Sequence, residues 1–355
     1  MSKNIIGFVL IDAPHSALNN AGEDTGARTE NTVAIKTIRR GKDSFPYVSA
    51  QAWRYWWRET LQTKFNWKMS PIIREKKIAF TAANPFIYAD DDVLGYMRAL
   101  KNINKKEDTN PKSKEEQNKP SGTLTRLSPL KNSPLISVFP QQATEDFGVM
   151  TRQEGDPVPY EHQFYSVILK GIFSLDLTSI GSFGVNAKTG YKNLDEKYIA
   201  TDEIKKAIES SKALNDDVNN RWILPKETRT NRAQDTISAL PYLSGGAKQT
   251  LHHTDVTPKF IILAVIEGGN NLFMNITTQD EKKVINIKAL KEVISDYNQI
   301  ILSDIYIGRC EGFQDSIKDD LHTLKSELST LKQIHLSSPK QAVENFTTVI
   351  SNYIG

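Results

Sequence analysis

A single cysteine, Cys310, is all the thiol chemistry this chain has. No disulfide can close within it, and zinc sites that need two or more cysteines are excluded. Such usage predicts a reducing compartment, the cytoplasm. Long hydrophobic runs are scarce as well: the most apolar stretches, 5–11 and 258–266, fall far short of the roughly 20 residues needed to cross a bilayer. The amino-terminal segment has one lysine and no cleavage pattern, so it is expected to form a strand and not a leader. Excess charge is also lacking. With a net charge of +3 over 355 residues, any affinity for nucleic acid has to come from local patches. Missing too are the G-x-x-x-x-G-K-[ST] signature of a nucleotide-binding loop, a nucleophile elbow and the aromatic signature of RNA-recognition motifs. There is no helix-turn-helix with a basic second helix and no internal repeat.

What is present suits two modest domains or one core with large insertions. Residues 5–11 (IIGFVLI) read as a buried central strand, followed by a long polar loop over 12–31 of the kind that carries function. Residues 32–38 alternate as a strand, and Arg39, Arg40 and Gly41 read as a turn. Strands are expected over 78–81, 162–177 and 258–266, and helices over 50–62, 90–100, 202–213, 232–240, 290–297, 317–331 and 342–353. A Gly-Asp-Pro turn makes 149–160 a hairpin candidate, while 102–121 has almost no apolar side chains and reads as an insertion outside the core. The order strand, helix, insertion, strand, strand, helix, strand predicts an α+β fold with a βαββαβ skeleton. That is the ferredoxin-like, or RNA-recognition, topology with an antiparallel sheet.

The helix after Ser49 is the best-defined element. Ser49 is a good N-cap. Gln51, Arg54 and Arg58 share one stripe, and Trp53, Trp56 and Trp57 fall on the other side, where they would anchor the helix to the sheet. Free N–H groups at its first turn attract an anion, and arginine's planar fork suits phosphate. The helix alone fits equally well an ordinary amphipathic helix with two solvated arginines and a phosphate-gripping face. Arg39 and Arg40, with Lys42, tilt the balance to the second. Further on, Gly245, Gly246 and Lys248 form a glycine turn ending in a cation, which would allow close approach to phosphate but taken alone reads as a plain turn before the strand at 258. His252, His253 and Asp255 match no common metal spacing, and no metal or cofactor is expected. His15 and Ser16, near Asp12, leave serine chemistry open. Asp90, Asp91 and Asp92 read as a solvated helix start.

Four blocks in order, VLIDAPHSALNNAG, FPYVSAQAWRYWWRETL, LSPLKNSPLISV and LPYLSGGAKQTLHHTDVTPKFIILAV, resemble the DevR-type backbone subunits of CRISPR type I interference complexes (Cascade), subtype I-B. The resemblance runs from about residue 5 to about residue 270. It implies an RNA-recognition-type palm, a helical finger insertion and a β-hairpin thumb. On this chain the palm begins over 1–65, the finger is 66–123, palm strands with the thumb at about 145–162 occupy 124–177, and 178–355 holds the second palm part and C-terminal helices. Members assemble as copies along the guide RNA, grip its phosphates without reading bases and present it to target DNA beside other subunits. The RNA contacts it implies here are Asn19, Asn20, Arg39, Arg40, Ser49, Gln51, Arg54, Arg58, Arg126, Lys131, Met150, Arg152, Gln153, His162, Gly245, Gly246 and Lys248. No catalysis is implied, and no membrane partner. Related subunits of type III complexes cleave target RNA with an aspartate of the first loop, where this chain has Glu23 and Asp24. A ribonuclease is therefore one alternative, and a DNA-binding autoregulator another.

Overall fold

The unbroken apolar run near the amino terminus is explained by a strand covered on both faces. Side chains alternate along a strand. Ile5, Val9 and Ile11 enter one core, while Ile6, Phe8 and Leu10 enter another. This computed structural model describes residues 2–23, 32–75, 78–100, 122–152, 154–185 and 192–355. In chain order its framing elements are β1 (Lys3–Ser16), β2 (Asn20–Glu23), β3 (Thr32–Ile35), β4 (Thr37–Arg40), β5 (Asp43–Val48), α1 (Ala50–Phe65) and α2 (Ala89–Leu94). Then come β6 (Leu135–Ser137), β7 (Thr144–Met150), β8 (Val158–Asp176), α3 (Lys226–Ser238), β9 (Phe260–Glu267), α4 (Ile287–Asp296), β10 (Ile305–Arg309), α5 (Lys318–Glu327), β11 (Ile334–Ser337) and α6 (Pro339–Val349).

The main sheet runs β11-β10-β9-β1-β8-β6-β5-β4. Neighbours on this path are antiparallel except β10 with β11, so the expected α+β class with a largely antiparallel sheet is what the chain forms. Between β1 and β6 the chain passes through α1, and between β8 and β9 through α3. Both helices lie on the face of Ile5 and Val9, together with α6. The opposite face, with Phe8 and Phe260, is covered by α4 and α5. The whole of β9 except Glu267 is buried, which is why it reads as the most apolar strand.

The tryptophans of α1 are buried as their spacing predicts, Trp53 and Trp57 completely. They meet Phe173 of β8 edge-on at 6.4 and 5.1 Å. Phe173 in turn lies over Gly7, where any Cβ would fall 2.0 Å from the ring, so the smallest residue of β1 marks the place where the aromatic layer presses on the sheet.

Local readings needed correction where a distant partner intervened. The expected helix over 90–100 stops at Leu94, because Gly95 turns the chain at φ 76°, and Tyr96–Leu100 then pairs with Gly122–Arg126. The strand over 32–38 is split at Lys36: its N–H bonds Asn19 O and its carbonyl accepts from Tyr47 N, and the chain passes there from β8 to β5. Arg39 and Arg40 therefore sit in strand β4, and the turn falls at Gly41 and Lys42. Asp90, Asp91 and Asp92 are buried, not solvated. Asp90 accepts from Ser70 N and pairs with Arg58, and Asp91 accepts from Asn84 N. Asp92 holds Arg126, Arg232 and the N–H of Gly181. Paired and hydrogen-bonded burial of this kind is how a protein tolerates interior charge.

A third apolar cluster joins Phe86, Tyr96 and Leu124 to Phe183, Tyr198 and Ile204, so parts of 83–124 and 183–224 build one side module. Among the described residues no helix is long and apolar enough to cross a membrane.

Candidate nucleic-acid interface

Three segments far apart in sequence are hydrogen-bonded at the start of α1. The Oδ1 of Asn19 accepts from the N–H of Ser49 at 2.9 Å. Ser49 caps α1, its Oγ accepting from Ala52 N at 3.3 Å. The carbonyl of Leu18 accepts from Ala247 N at 2.9 Å, and Ser16 Oγ lies 2.8 Å from Thr254 Oγ1. The loop after β1, the amino end of α1 and the 244–254 segment thus form one surface. Gly245 and Gly246 have φ 145° and 110°, and Lys248 adopts the left-handed conformation at φ 53°. Only glycine accepts the first two without strain.

This surface gathers Asn19, Ser49, Gln51, Gly245, Gly246 and Lys248. Gln51 is exposed on the first turn of α1, where helix N–H groups and the dipole favour an anion. Burial lowers the proton affinity of the Lys248 ammonium. Asn20 begins β2 opposite Ile35, and its buried Oδ1 has no hydrogen-bond partner among the described residues. Arg39 and Arg40 are exposed on edge strand β4 and form no ion pair with any described residue.

Two sequence-derived contacts are corrected. Arg54 is turned inward, not displayed beside Arg58. Its guanidinium donates to Asn132 Oδ1 at 3.1 Å, Ser128 Oγ at 2.7 Å, Leu130 O at 2.9 Å and Leu94 O at 3.4 Å. Four protein acceptors take four of the five N–H donors of that fork, so most of its hydrogen bonding is spent inside the protein. Arg126 is buried with Asp92 and also donates to Ser179 O, Ser182 O and Asn193 Oδ1. Arg58 is half-exposed and paired with Asp90. Lys131 is exposed on the short strand Leu130–Asn132, on the side of α1 that Arg54 ties down.

β7 and the first part of β8 form a hairpin, with Phe147, Val149, Met150 and Tyr160 exposed along it. Met150 and Arg152 lie toward its exposed tip, while Gln153 lies outside the described residues. At its base His162 is buried opposite Asp146, whose Oδ2 is 3.4 Å from the His162 Nε2. The imidazole stacks on Tyr160 and meets His252 edge-on at 5.9 Å. His252, His15 and Phe164 complete an aromatic cluster that the sequence does not assign to the interface, since its only signals were the unspecific pair His252–His253 and His15 beside Ser16.

Ser16 Oγ donates to Pro14 O and contacts Thr254, with no bond to His15. Among the described residues no group of three or more His, Cys, Asp or Glu is placed to hold a metal. Asp24 lies outside the described residues, and the Glu23 side chain is not described.

No protein-family model matches the chain, and no curated protein matches its sequence. Among solved structures, it is similar to a chain of a CRISPR RNA-guided surveillance complex in a pre-nicking state, with TM-score 0.54 and 10% identity over 98% of this chain and 100% of that one. A chain of another CRISPR RNA-guided surveillance complex aligns at TM-score 0.49 and 11% identity, covering 98% and 99%. At such identity the first likeness establishes a shared fold over essentially the whole length of both chains.

Proposed function

We propose that this protein is a guide-RNA-binding backbone subunit of a CRISPR type I interference complex, subtype I-B, acting without catalysis in the cytoplasm. It grips guide phosphates without reading bases, assembles in copies along the guide and offers it to target DNA beside the other subunits. One observation carries the reading: the loop after β1, the capped end of α1 and the glycine turn with Lys248 are bonded into a single surface. It presents the first-turn N–H groups of α1 and the Lys248 ammonium together, the chemistry that positions a phosphate chain.

The sheet supports the same reading. In β9-β1-β8-β6, numbered by order in the chain, the strands run 4-1-3-2 with α1 and α3 on one face, an order that supports reading them as a βαββαβ palm. The face on which such palms stack bases is closed here by α4 and α5. RNA is left with the helix end and loops, which favours phosphate gripping over base reading. The hairpin of β7 and β8, with its exposed apolar side chains, is the thumb in this reading. The module around Phe86 and Tyr198 includes Ala83, Phe86 and Tyr96 of the finger segment.

The test is purification of the full chain followed by its ultraviolet absorbance ratio and its particle mass with oligoribonucleotides of increasing length. Bound RNA and a mass that rises stepwise with RNA length are expected. Replacing Arg39, Arg40 and Lys248 by alanine should weaken binding and flatten the salt dependence by about 0.7 per lost phosphate contact on a single strand. A nucleic-acid-free monomer without affinity at low salt would overturn the proposal. Matched RNA incubated with the assembled complex and magnesium should stay intact, and regular cleavage would favour the ribonuclease alternative.

A further inference from the structure

Beside Lys248, three histidines from different parts of the fold form one cluster, two of them against Phe164 and the third against one of those two. His15, at the end of β1, lies 5.9 Å from the Phe164 ring, and His252, in the short helix Gln249–His252, lies 6.0 Å from it. His252 meets His162 at 5.9 Å. His162 is only 9% exposed, and its Nδ1 has no hydrogen-bond partner among the described residues; the buried Nε2 of His252 has none either. A buried polar atom without a partner is costly, and native proteins carry few of them. Two on touching imidazoles, next to a cation and at the edge of an anion-suited surface, mark a place completed by something else.

The charges around them are Lys248, Asp146 and the third imidazole, His15. Burial and the Lys248 charge hold His162 below the ordinary imidazole range, with Asp146 acting the other way. For His252, burial is followed by His162, Lys248 and His15, all pushing down, against Asp146. In the free protein both rings are therefore neutral near pH 7, each kept from charging by desolvation and neighbouring positive charge.

We infer that Lys248, His162 and His252 form a phosphate subsite for the RNA backbone, and that filling it loads protons onto the imidazoles. An entering phosphate neutralises the repulsion from Lys248 and gives the protonated ring nitrogens an acceptor. Each proton comes from solvent, and no covalent bond changes. RNA binding then strengthens as pH falls. The gain begins at the bound-state proton affinity of the imidazoles and levels off once the free protein is itself protonated, below the usual value of about 6.5.

This inference rests on the RNA-binding reading, and its experiment separates the two. Binding of a labelled polyuridylate oligonucleotide to the full chain is measured by fluorescence anisotropy at constant ionic strength between about pH 8 and about pH 5.5. The wild type should tighten on acidification, approaching about tenfold per pH unit for each proton taken up. The double variant His162→Gln, His252→Gln should bind with much less pH dependence. Equal pH slopes in the two proteins, or pH-independent wild-type binding, would overturn the subsite while leaving RNA binding intact. Absence of binding at every pH would overturn both. Should the double variant not fold, histidine ring titration by NMR in the wild type decides the question. Polyuridylate should raise the proton affinity of His162 or His252, and unmoved titrations would overturn the subsite.

Discussion

Gly245 lies against the indole of Trp56, so close that a Cβ on it would come within 2.4 Å of Trp56 Cδ1. This contact fastens the turn carrying Lys248 to the tryptophan side of α1. Trp56 is itself only 4% exposed and has little room to retreat. Gly245→Ala should therefore strain both the backbone, at φ 145°, and the packing. A loss of about 1–3 kcal/mol is expected from urea unfolding, together with weaker RNA binding. Unchanged stability and affinity would show that the turn is free to shift.

Arg54 is a structural arginine on a helix chosen for its exposed ones. Removing it leaves Ser128 Oγ and Asn132 Oδ1 without the guanidinium donor, while the Leu130 carbonyl keeps the Ser128 hydroxyl. Arg54→Ala should cost at least about 2 kcal/mol in a denaturant titration, because its hydrogen bonds are charge-assisted. Arg54→Lys should recover little, since an ammonium cannot reproduce the fork. By contrast, Arg39→Ala on exposed β4 should stay within about 0.5 kcal/mol of wild type. Equal effects at the two sites would contradict the hydrogen-bond assignment.

Asp92 links the side module to the main core by accepting from Arg126 on one side and Arg232 of α3 on the other. Asp92→Asn keeps the shape and removes the charge, leaving two buried guanidiniums uncompensated. The expected loss is about 3–5 kcal/mol, visible as a lower melting temperature. Hydrogen exchange should rise first around Gly181, whose N–H also bonds Asp92. A melting temperature within error of wild type would mean the arginines find other partners.

Without RNA, acid should weaken the fold through the histidine cluster. The folded-state proton affinity of His162 and His252 is depressed, so the unfolded chain takes up protons at a higher pH than the folded one. Stability from this source is complete above about pH 6.5 and falls as pH drops through the unfolded-state value toward the folded one. Melting temperatures measured from neutral to mildly acidic pH should decline less in the variant carrying His162→Gln and His252→Gln. Parallel declines would place the acid sensitivity elsewhere, among the buried carboxylates or other groups.

Local chemistry determined a good deal of this protein before any contact was known. Ser49 caps α1 because a hydroxyl at that position satisfies a free N–H. Trp53, Trp56 and Trp57 are buried because their spacing puts them on one side of a helix. β1 and β9 read as apolar runs because both of their faces are covered. Cap chemistry and periodicity act over a few residues, so the sequence displays them directly. Only the tertiary structure decided where charged and polar groups point. Arg54 finds its acceptors 40 to 78 residues away, Asp92 its arginines 34 and 140 away, and His162 its neighbour His252 after the chain has crossed the sheet. A guanidinium on a helix surface looks the same in sequence whether water, a carbonyl or a phosphate awaits it. The join of Asn19 to Ser49 and of Leu18 to Ala247 likewise arises from strand order, which brings distant loops to one end of the sheet.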